Sequence, residues 1–130
     1  MIVRPAQNMA AALAHLGRAV PFDCLGAGRA TPAELVAGQA LFDLVHAGRT
    51  VGAFALGVDD YSDGRVIRCG AAGGEPGHDL VGAMVGFAEA EGRGRIGARL
   101  LTCETRRPGL VRKLRRHGFK VAGYILSKDI

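Results

Sequence analysis

The sequence predicts one mixed α/β domain, residues 1–130, in which helices flank a central mixed sheet. Three observations support this fold class. The length of 130 residues suits a single domain. Hydrophobic residues make up 48% and charged residues 22%, which is typical of a globular protein and excludes a disordered or fibrous chain. Apolar residues recur with the period of a strand in some segments and with that of a helix in others.

The beginning of the chain predicts a strand and then a helix. Residues 2–4 are β-like and are followed by a proline, which ends the strand. Met9, Leu13 and Leu16 recur at spacings of four and three residues. This spacing predicts a helix over residues 6–16.

A second helix is predicted from Thr31 to about Ala47. The segment Thr31-Pro32-Ala33-Glu34 supplies an N-cap residue, a proline at the first helical position and a glutamate at the third. Leu41, Leu44 and Val45 then fall on one face of this helix.

A β-hairpin is predicted next. Residues 50–58 alternate with period two and carry apolar side chains on both faces, which is typical of a strand covered on both sides. Residues 59–64 form a polar Asp- and Gly-containing turn, and residues 65–71 are typical of a second strand. We therefore expect Val51–Val58 to pair antiparallel with Arg65–Ala71.

The rest of the chain predicts two more helices and two more strands. A glycine-rich loop over residues 70–78 precedes a helix that Asp79 caps. The segments that follow are predicted to be a helix to about Glu91, a strand over Ala98–Cys103, a helix from Arg106 to Gly118 and a strand over Phe119–Ser127. The predicted order is β-α-α-β-β-α-β-α-β.

The cysteines and the apolar segments limit the class of protein. Cys24, Cys69 and Cys103 form no CxxC pair, so the sequence predicts neither a zinc site nor a disulfide framework, and no other spacing predicts a metal. We expect reduced thiols in a cytoplasmic protein. No apolar run is long enough to span a membrane, and residues 1–7 lack the apolar segment of a secretory signal.

Positive charge is concentrated in the last third of the chain. Residues 93–120 carry ten basic side chains and one acidic side chain, although the net charge of the whole chain is only +5. Such a region attracts an anionic partner. The alternatives are a nucleic acid, an acidic protein surface and a phosphorylated cofactor. Phe119 is its only aromatic residue and no DNA-binding motif accompanies it, so nucleic acid is the least expected partner.

Residues 98–127 carry a family resemblance. A strand leads to a helix that ends in Leu114-Arg115-Arg116-His117-Gly118-Phe119, and a final strand is predicted directly after it. Together with the preceding strand, loop and helix, this pattern resembles the GNAT N-acyltransferase superfamily over nearly the whole chain. The resemblance implies acetyl-CoA or another acyl-CoA as cofactor, without a metal, and an amine or protein as acceptor. It does not identify the acceptor or the oligomeric state.

The resemblance also implies where acyl-CoA binds. In that family a loop before the third helix offers backbone N–H groups to the pyrophosphate, an arrangement that the helix dipole favours. Only one of the three loop positions matches the family pattern, and a carboxylate at Asp79 opposes an anion. The residues expected to bind acyl-CoA are Gly73, Gly74, Gly77, His78, Asp79, Arg106, Arg107 and Arg112.

The catalytic residues of the family are not matched. Leu114 stands where many members have a tyrosine that acts as acid, and the strand over residues 65–71 carries no carboxylate base. The remaining candidates are His78, Glu104 and Tyr124, because each can hold or release a proton. Three hypotheses follow, namely an N-acyltransferase, a GNAT-like binding or structural module without catalysis, and a nucleic-acid binder that uses the basic third.

Overall fold

The structure is a computed structural model that describes residues 1–26 and 28–130. Its strands are β1 (Ile2–Pro5), β2 (Ala40–His46), β3 (Arg49–Tyr61), β4 (Gly64–Gly74) and β5 (Ala98–Cys103). Its α-helices are α1 (Met9–Leu16), α2 (Pro32–Leu35), α3 (Leu80–Glu91) and α4 (Pro108–Arg116). Within the described residues, no helix has the length and apolar character needed to cross a membrane.

The strands form one mixed sheet in the order β1-β2-β3-β4-β5. All neighbours are antiparallel except β4 and β5, which are parallel. The predicted hairpin is confirmed, because Val58 lies opposite Ile67 and Gly57 lies opposite Arg68. Both strands extend further toward the turn than predicted, since Tyr61 still pairs with Gly64. The mixed α/β fold class is therefore confirmed.

The predicted long second helix is wrong beyond its first turn. Its start is as expected, because the side chain of Thr31 accepts a hydrogen bond from the Glu34 N–H at 3.2 Å and the Glu34 carboxylate accepts one from the Thr31 N–H at 3.0 Å. The helix ends at Leu35, and Gly38 follows with φ of +74°, which a continuing helix cannot contain. Residues 40–46 instead form β2, which pairs with β1 and β3.

The predicted last strand is also wrong. Residues 119–130 form no regular secondary structure, although Phe119, Val121 and Ile125 share one side of a strand in the sequence pattern. Gly118 has φ of +88°, and the Phe119 side chain that follows it packs against the core. Beyond it, Tyr124 is 89% exposed, and the sheet pairings end at β5. A segment without a ladder partner cannot satisfy its backbone as a strand.

The sheet is covered on both faces, as the apolar pattern of β3 predicts. On one face, α3 and α4 cover a core that includes Phe54, Ile67, Met84 and Leu114. On the other face, α1 covers a core of small side chains. Its buried members are Ala12, Leu16, Val36, Ala53, Ala55 and Ala71. The small residues let α1 approach the sheet closely.

Candidate functional site

The two parallel strands separate at their carboxyl ends. β4 and β5 pair up to Cys69 and Cys103, where β5 ends, while β4 continues to Gly74. The separation coincides with a bulge in β4. The neighbouring β3 residues Ala55 and Leu56 pair with Ala71 and Cys69, so Gly70 is an extra residue in β4. In open sheets, ligands bind outside the carboxyl ends of parallel strands. The carboxyl end of the β4–β5 pair is therefore the candidate ligand-binding site.

A cavity of about 210 Å³ opens where the strands separate. Its walls are formed by residues 68–74 of β4 and by residues between Arg18 and Gln39. Around the start of α4 they are formed by Cys103, Glu104, Thr105, Arg107 and Leu110. Two acidic residues, Asp23 and Glu104, and two arginines, Arg68 and Arg107, are among the residues that line it. The cavity can hold the reacting part of a small ligand and offers it both signs of charge.

Gln39 is a site residue that the sequence analysis missed. Its amide nitrogen donates a hydrogen bond to the Leu35 carbonyl at 3.2 Å. Its Oε1 is buried and has no hydrogen-bond partner among the described residues, and it lies directly over the Gly70 bulge. A buried acceptor without a donor is costly, and Gln39 is one of the residues that line the cavity. Any side chain at Gly70 would collide with this amide.

Two thiols lie at the point of separation. Cys69 is buried and Cys103 is half-buried, and both line the cavity. Interaction with the Cys69 thiol lowers the pKa of the Cys103 thiol, and the same interaction, together with burial, raises the pKa of Cys69. Cys69 is a small core residue, and no sequence pattern shows that it is paired with Cys103 across the sheet.

The structure brings together only part of the predicted cofactor set. Gly73, Gly74 and Arg107 line the cavity with Glu104. Arg106 and Arg112 lie outside it. They line a second cavity of about 400 Å³ together with Pro108, Val111 and Arg115.

The loop before α3 holds the other predicted residues. Asp79 caps α3, because its carboxylate accepts a hydrogen bond from the Gly82 N–H at 3.0 Å. His78 packs against the His46 ring with a centroid separation of 5.0 Å, and neither it nor Gly77 lines the first cavity. Glu75 binds Arg49 at 2.6 Å, and this contact lowers the pKa of the Glu75 carboxyl. Two carboxylates therefore stand where the resemblance implies a pyrophosphate.

Tyr124, the third catalytic candidate, lies in the exposed C-terminal segment and lines neither cavity. Glu104 is thus the one candidate of the three that the structure places at the first cavity. The residues described by the structure contain no cluster of three or more His, Cys, Asp or Glu side chains that could hold a metal ion.

Gly73 fixes the wall between the cavity and α1, which leads to a prediction. A Cβ at this position would collide with the backbone carbonyl oxygen of His15 at the end of α1. We expect Gly73→Ala to lower the free energy of unfolding by about 1–3 kcal/mol, because backbone atoms must move apart. Urea unfolding measures the change.

Gly86→Ala is the matched control, since Gly86 is an exposed α3 residue with open space around it. That substitution should stabilise the helix by up to about 1 kcal/mol. Equal effects of the two substitutions would contradict the contact.

Comparison with solved structures identifies the fold. A transcriptional regulator from Bacillus halodurans C-125 matches with a TM-score of 0.70 and 16% identity over 99% of both chains. An acetyltransferase from Trypanosoma brucei matches with a TM-score of 0.67 and 16% identity, also over 99% of both chains. AAC(6')-Iy, in complex with the bisubstrate analog CoA-S-monomethyl-acetylneamine, has a TM-score of 0.66 and 15% identity over 99% of this chain and 97% of its own.

No protein-family model and no curated protein sequence matches the chain. The structural matches extend over essentially the full length of the chain, and acetyltransferases recur among them. The chain therefore has the fold of the GNAT acetyltransferases, and the resemblance carried by residues 98–127 is confirmed at the level of the fold.

Proposed function

We propose that the chain is a small GNAT-type N-acyltransferase that moves an acyl group, such as acetyl, from acyl-CoA to an amine. The observation that carries the proposal is the separation of β4 and β5 beyond Cys69 and Cys103, which opens a cavity at the carboxyl ends of two parallel strands. The fold supports the reaction class, and the CoA-containing analog bound to AAC(6')-Iy supports acyl-CoA as the donor.

The cavity walls suit the two partners of this reaction. The amine nitrogen attacks the thioester carbonyl carbon, the C–N bond forms, the C–S bond breaks, and the proton lost by the amine reaches the CoA sulfur or water. Glu104 is the proposed base, because it lines the cavity directly after the end of β5. Gln39 Oε1 is the proposed acceptor for an amine N–H, which would satisfy its missing hydrogen bond.

The phosphates of acyl-CoA need cations, and the start of α4 supplies them. Arg106, Arg112 and Arg115 line the second cavity, and Arg107 lines the first. One guanidinium group can donate two parallel hydrogen bonds to two oxygens of a phosphate. Arginine therefore binds phosphate with better geometry than lysine does. In our proposal the phosphates lie between these side chains and the backbone of residues 73–79, with the acyl end in the first cavity.

Asp79 opposes the phosphates in this arrangement and provides a test of it. We expect Asp79→Ala to tighten acetyl-CoA binding about two- to fivefold, because removing a charge at a helix N-terminus changes the energy of a nearby anion by about 0.3–1 kcal/mol. Asp79→Asn separates the two roles of the residue, since asparagine keeps the N-cap and removes the charge. Calorimetric titration with acetyl-CoA measures both variants. Weaker binding by Asp79→Asn would show that the charge argument is wrong.

Turnover is tested with acetyl-CoA and a panel of primary amines, with release of free CoA as the readout. We expect Glu104→Gln to lower kcat at least tenfold while binding of acetyl-CoA changes little, because general-base catalysis contributes about 10²–10⁴-fold. Asp63→Asn is a matched control, since Asp63 is an exposed carboxylate in the turn between β3 and β4. Full activity of Glu104→Gln would remove the residue from the mechanism.

A second candidate function is acyl-CoA binding without turnover, and one observation favours it. Leu114, at the position where many GNAT enzymes have a tyrosine acid, is only 5% exposed and belongs to the core. Protonation of the CoA sulfur would then have to come from another group. Tight binding of acetyl-CoA without CoA release from any amine would favour a binding module, whereas absence of binding at millimolar ligand would refute both functions.

A further inference from the structure

Cys69 and Cys103 are placed to react with each other. They are direct partners in the parallel pairing of β4 and β5, where opposed Cα atoms lie about 4.8 Å apart. Disulfides span Cα separations of about 4.4–6.8 Å, so the backbone already meets this requirement. Both side chains are on the same face of the sheet, because Cys69 belongs to the core under α3 and Cys103 packs against it. The two side chains are therefore neighbours on one face, at the last paired position of β4 and β5.

The two cysteines differ in exposure. Cys103 is half-buried in the cavity wall, whereas Cys69 is 2% exposed and its sulfur contacts the Met84 sulfur at 3.3 Å. A small oxidant that enters the cavity therefore reaches Cys103 more readily than Cys69. This is the arrangement of an attacking thiol with a neighbouring resolving thiol.

We propose that Cys69 and Cys103 form a redox-active dithiol, which a hydroperoxide oxidises to a disulfide. The Cys103 thiolate attacks one peroxide oxygen, the O–O bond breaks, and the other oxygen leaves as an alcohol or water after taking a proton. The resulting sulfenic acid is attacked by the Cys69 sulfur, the S–O bond breaks, and water leaves with the Cys69 proton. The two thiols lose two electrons in total, and the peroxide gains them.

The difference between the two thiols determines which of them attacks the peroxide first. Cys103 is the more exposed thiol, and interaction with Cys69 lowers its pKa, so Cys103 supplies the thiolate. Burial and the charge of Glu104 raise the pKa of Cys24, which does not line the cavity and is expected to stay reduced. In a reducing compartment such a disulfide forms transiently, which is typical of redox sensing rather than of a structural framework.

The disulfide would act on the proposed acyl-CoA site, and this step rests on the proposed function. The two sulfur atoms lie where β4 and β5 begin to separate. Oxidation fixes them at about 2.0 Å from each other and holds the end of β5 against the bulged part of β4. We expect the oxidised protein to bind acetyl-CoA at least about tenfold more weakly than the reduced protein.

The first experiment uses the native chain and hydrogen peroxide. After oxidation, remaining thiols are alkylated, and peptide mass mapping locates the modified cysteines. The expected product is one Cys69–Cys103 linked peptide that has lost two hydrogens and that dithiothreitol reverses. A Cys24–Cys103 link, sulfinic acid on Cys103 without a link, or full alkylation of Cys103 after peroxide would overturn the proposal.

Variants separate the two thiols. Cys24→Ser is the control and should form the same disulfide as the native chain. Cys69→Ser should stop at the sulfenic acid on Cys103, which dimedone traps, and Cys103→Ser should form neither product. If the serine hydroxyl in the core prevents folding, Cys69→Ala is used instead of Cys69→Ser. The peptide mapping of the native chain does not depend on either variant. Native-like oxidation of Cys103→Ser would overturn the proposal.

Calorimetry with acetyl-CoA on the reduced and oxidised chains tests the effect on the site. Binding by the reduced form and its loss after oxidation support both proposals. If the reduced form does not bind, the acyltransferase proposal fails, while the mapped disulfide still stands. If both forms bind equally, the dithiol exists but does not control the site.

Discussion

Phe54→Ala is expected to lower the free energy of unfolding by about 3–5 kcal/mol, because it removes a large, fully buried aromatic side chain. Phe54 stacks on Phe42 with ring centroids 5.3 Å apart and meets the edge of Phe87 at 5.9 Å. The substitution therefore removes contacts that join β2, β3 and α3 in a chain with few aromatic residues. Urea unfolding followed by circular dichroism measures the loss.

The control for this substitution lies on the same strand. Val58 is 44% exposed, and we expect Val58→Ala to cost less than about 1 kcal/mol. If both variants lose the same stability, the ring cluster does not organise the core as described.

Leu114→Ala is expected to cost about 2–5 kcal/mol. Leu114 is a core residue of α4 at 5% exposure. Truncation leaves a cavity between α4 and the sheet. The same unfolding assay measures it, with Lys113→Ala on the exposed side of α4 as the control, expected within about 0.5 kcal/mol of the native chain. A loss below about 1 kcal/mol would place Leu114 at the surface and reopen the question of an acid there.

Local sequence patterns predict those helices and strands whose residues fit only one kind of secondary structure. The alternation in residues 50–58 and 65–71 gave the hairpin, and Asp79 was correctly predicted as the cap of α3. The segment Ala40–His46 was ambiguous, because Leu41, Leu44 and Val45 fit a helical face while Phe42 and Leu44 also fit a strand. Pairing with β1 and β3 decides for the strand, and no local pattern contains that information.

The site depended even more on long-range register. Gln39 was hidden inside the predicted helix, so its amide could not be placed over β4. The opposition of Cys69 and Cys103 follows from the pairing of two strands about thirty residues apart in the chain, and their spacing alone implies nothing. The family resemblance predicted the fold, whereas its loop and catalytic positions depart from the family pattern.

The bulge at Gly70 determines how this chain tolerates insertions and deletions. Because Gly70 is the extra residue, deleting it would leave Cys69 opposite Leu56 and Ala71 opposite Ala55, so every side chain of β4 would keep its face. Deleting Ala72 instead would move Gly73 and Gly74 to the opposite face. One lost codon could thus convert β4 into a regular strand without disturbing either core, while removing the irregularity beside which the cavity opens. The bulge can therefore be removed without exchanging residues between the two cores, so the cavity beside it can be altered while the fold of the sheet is kept.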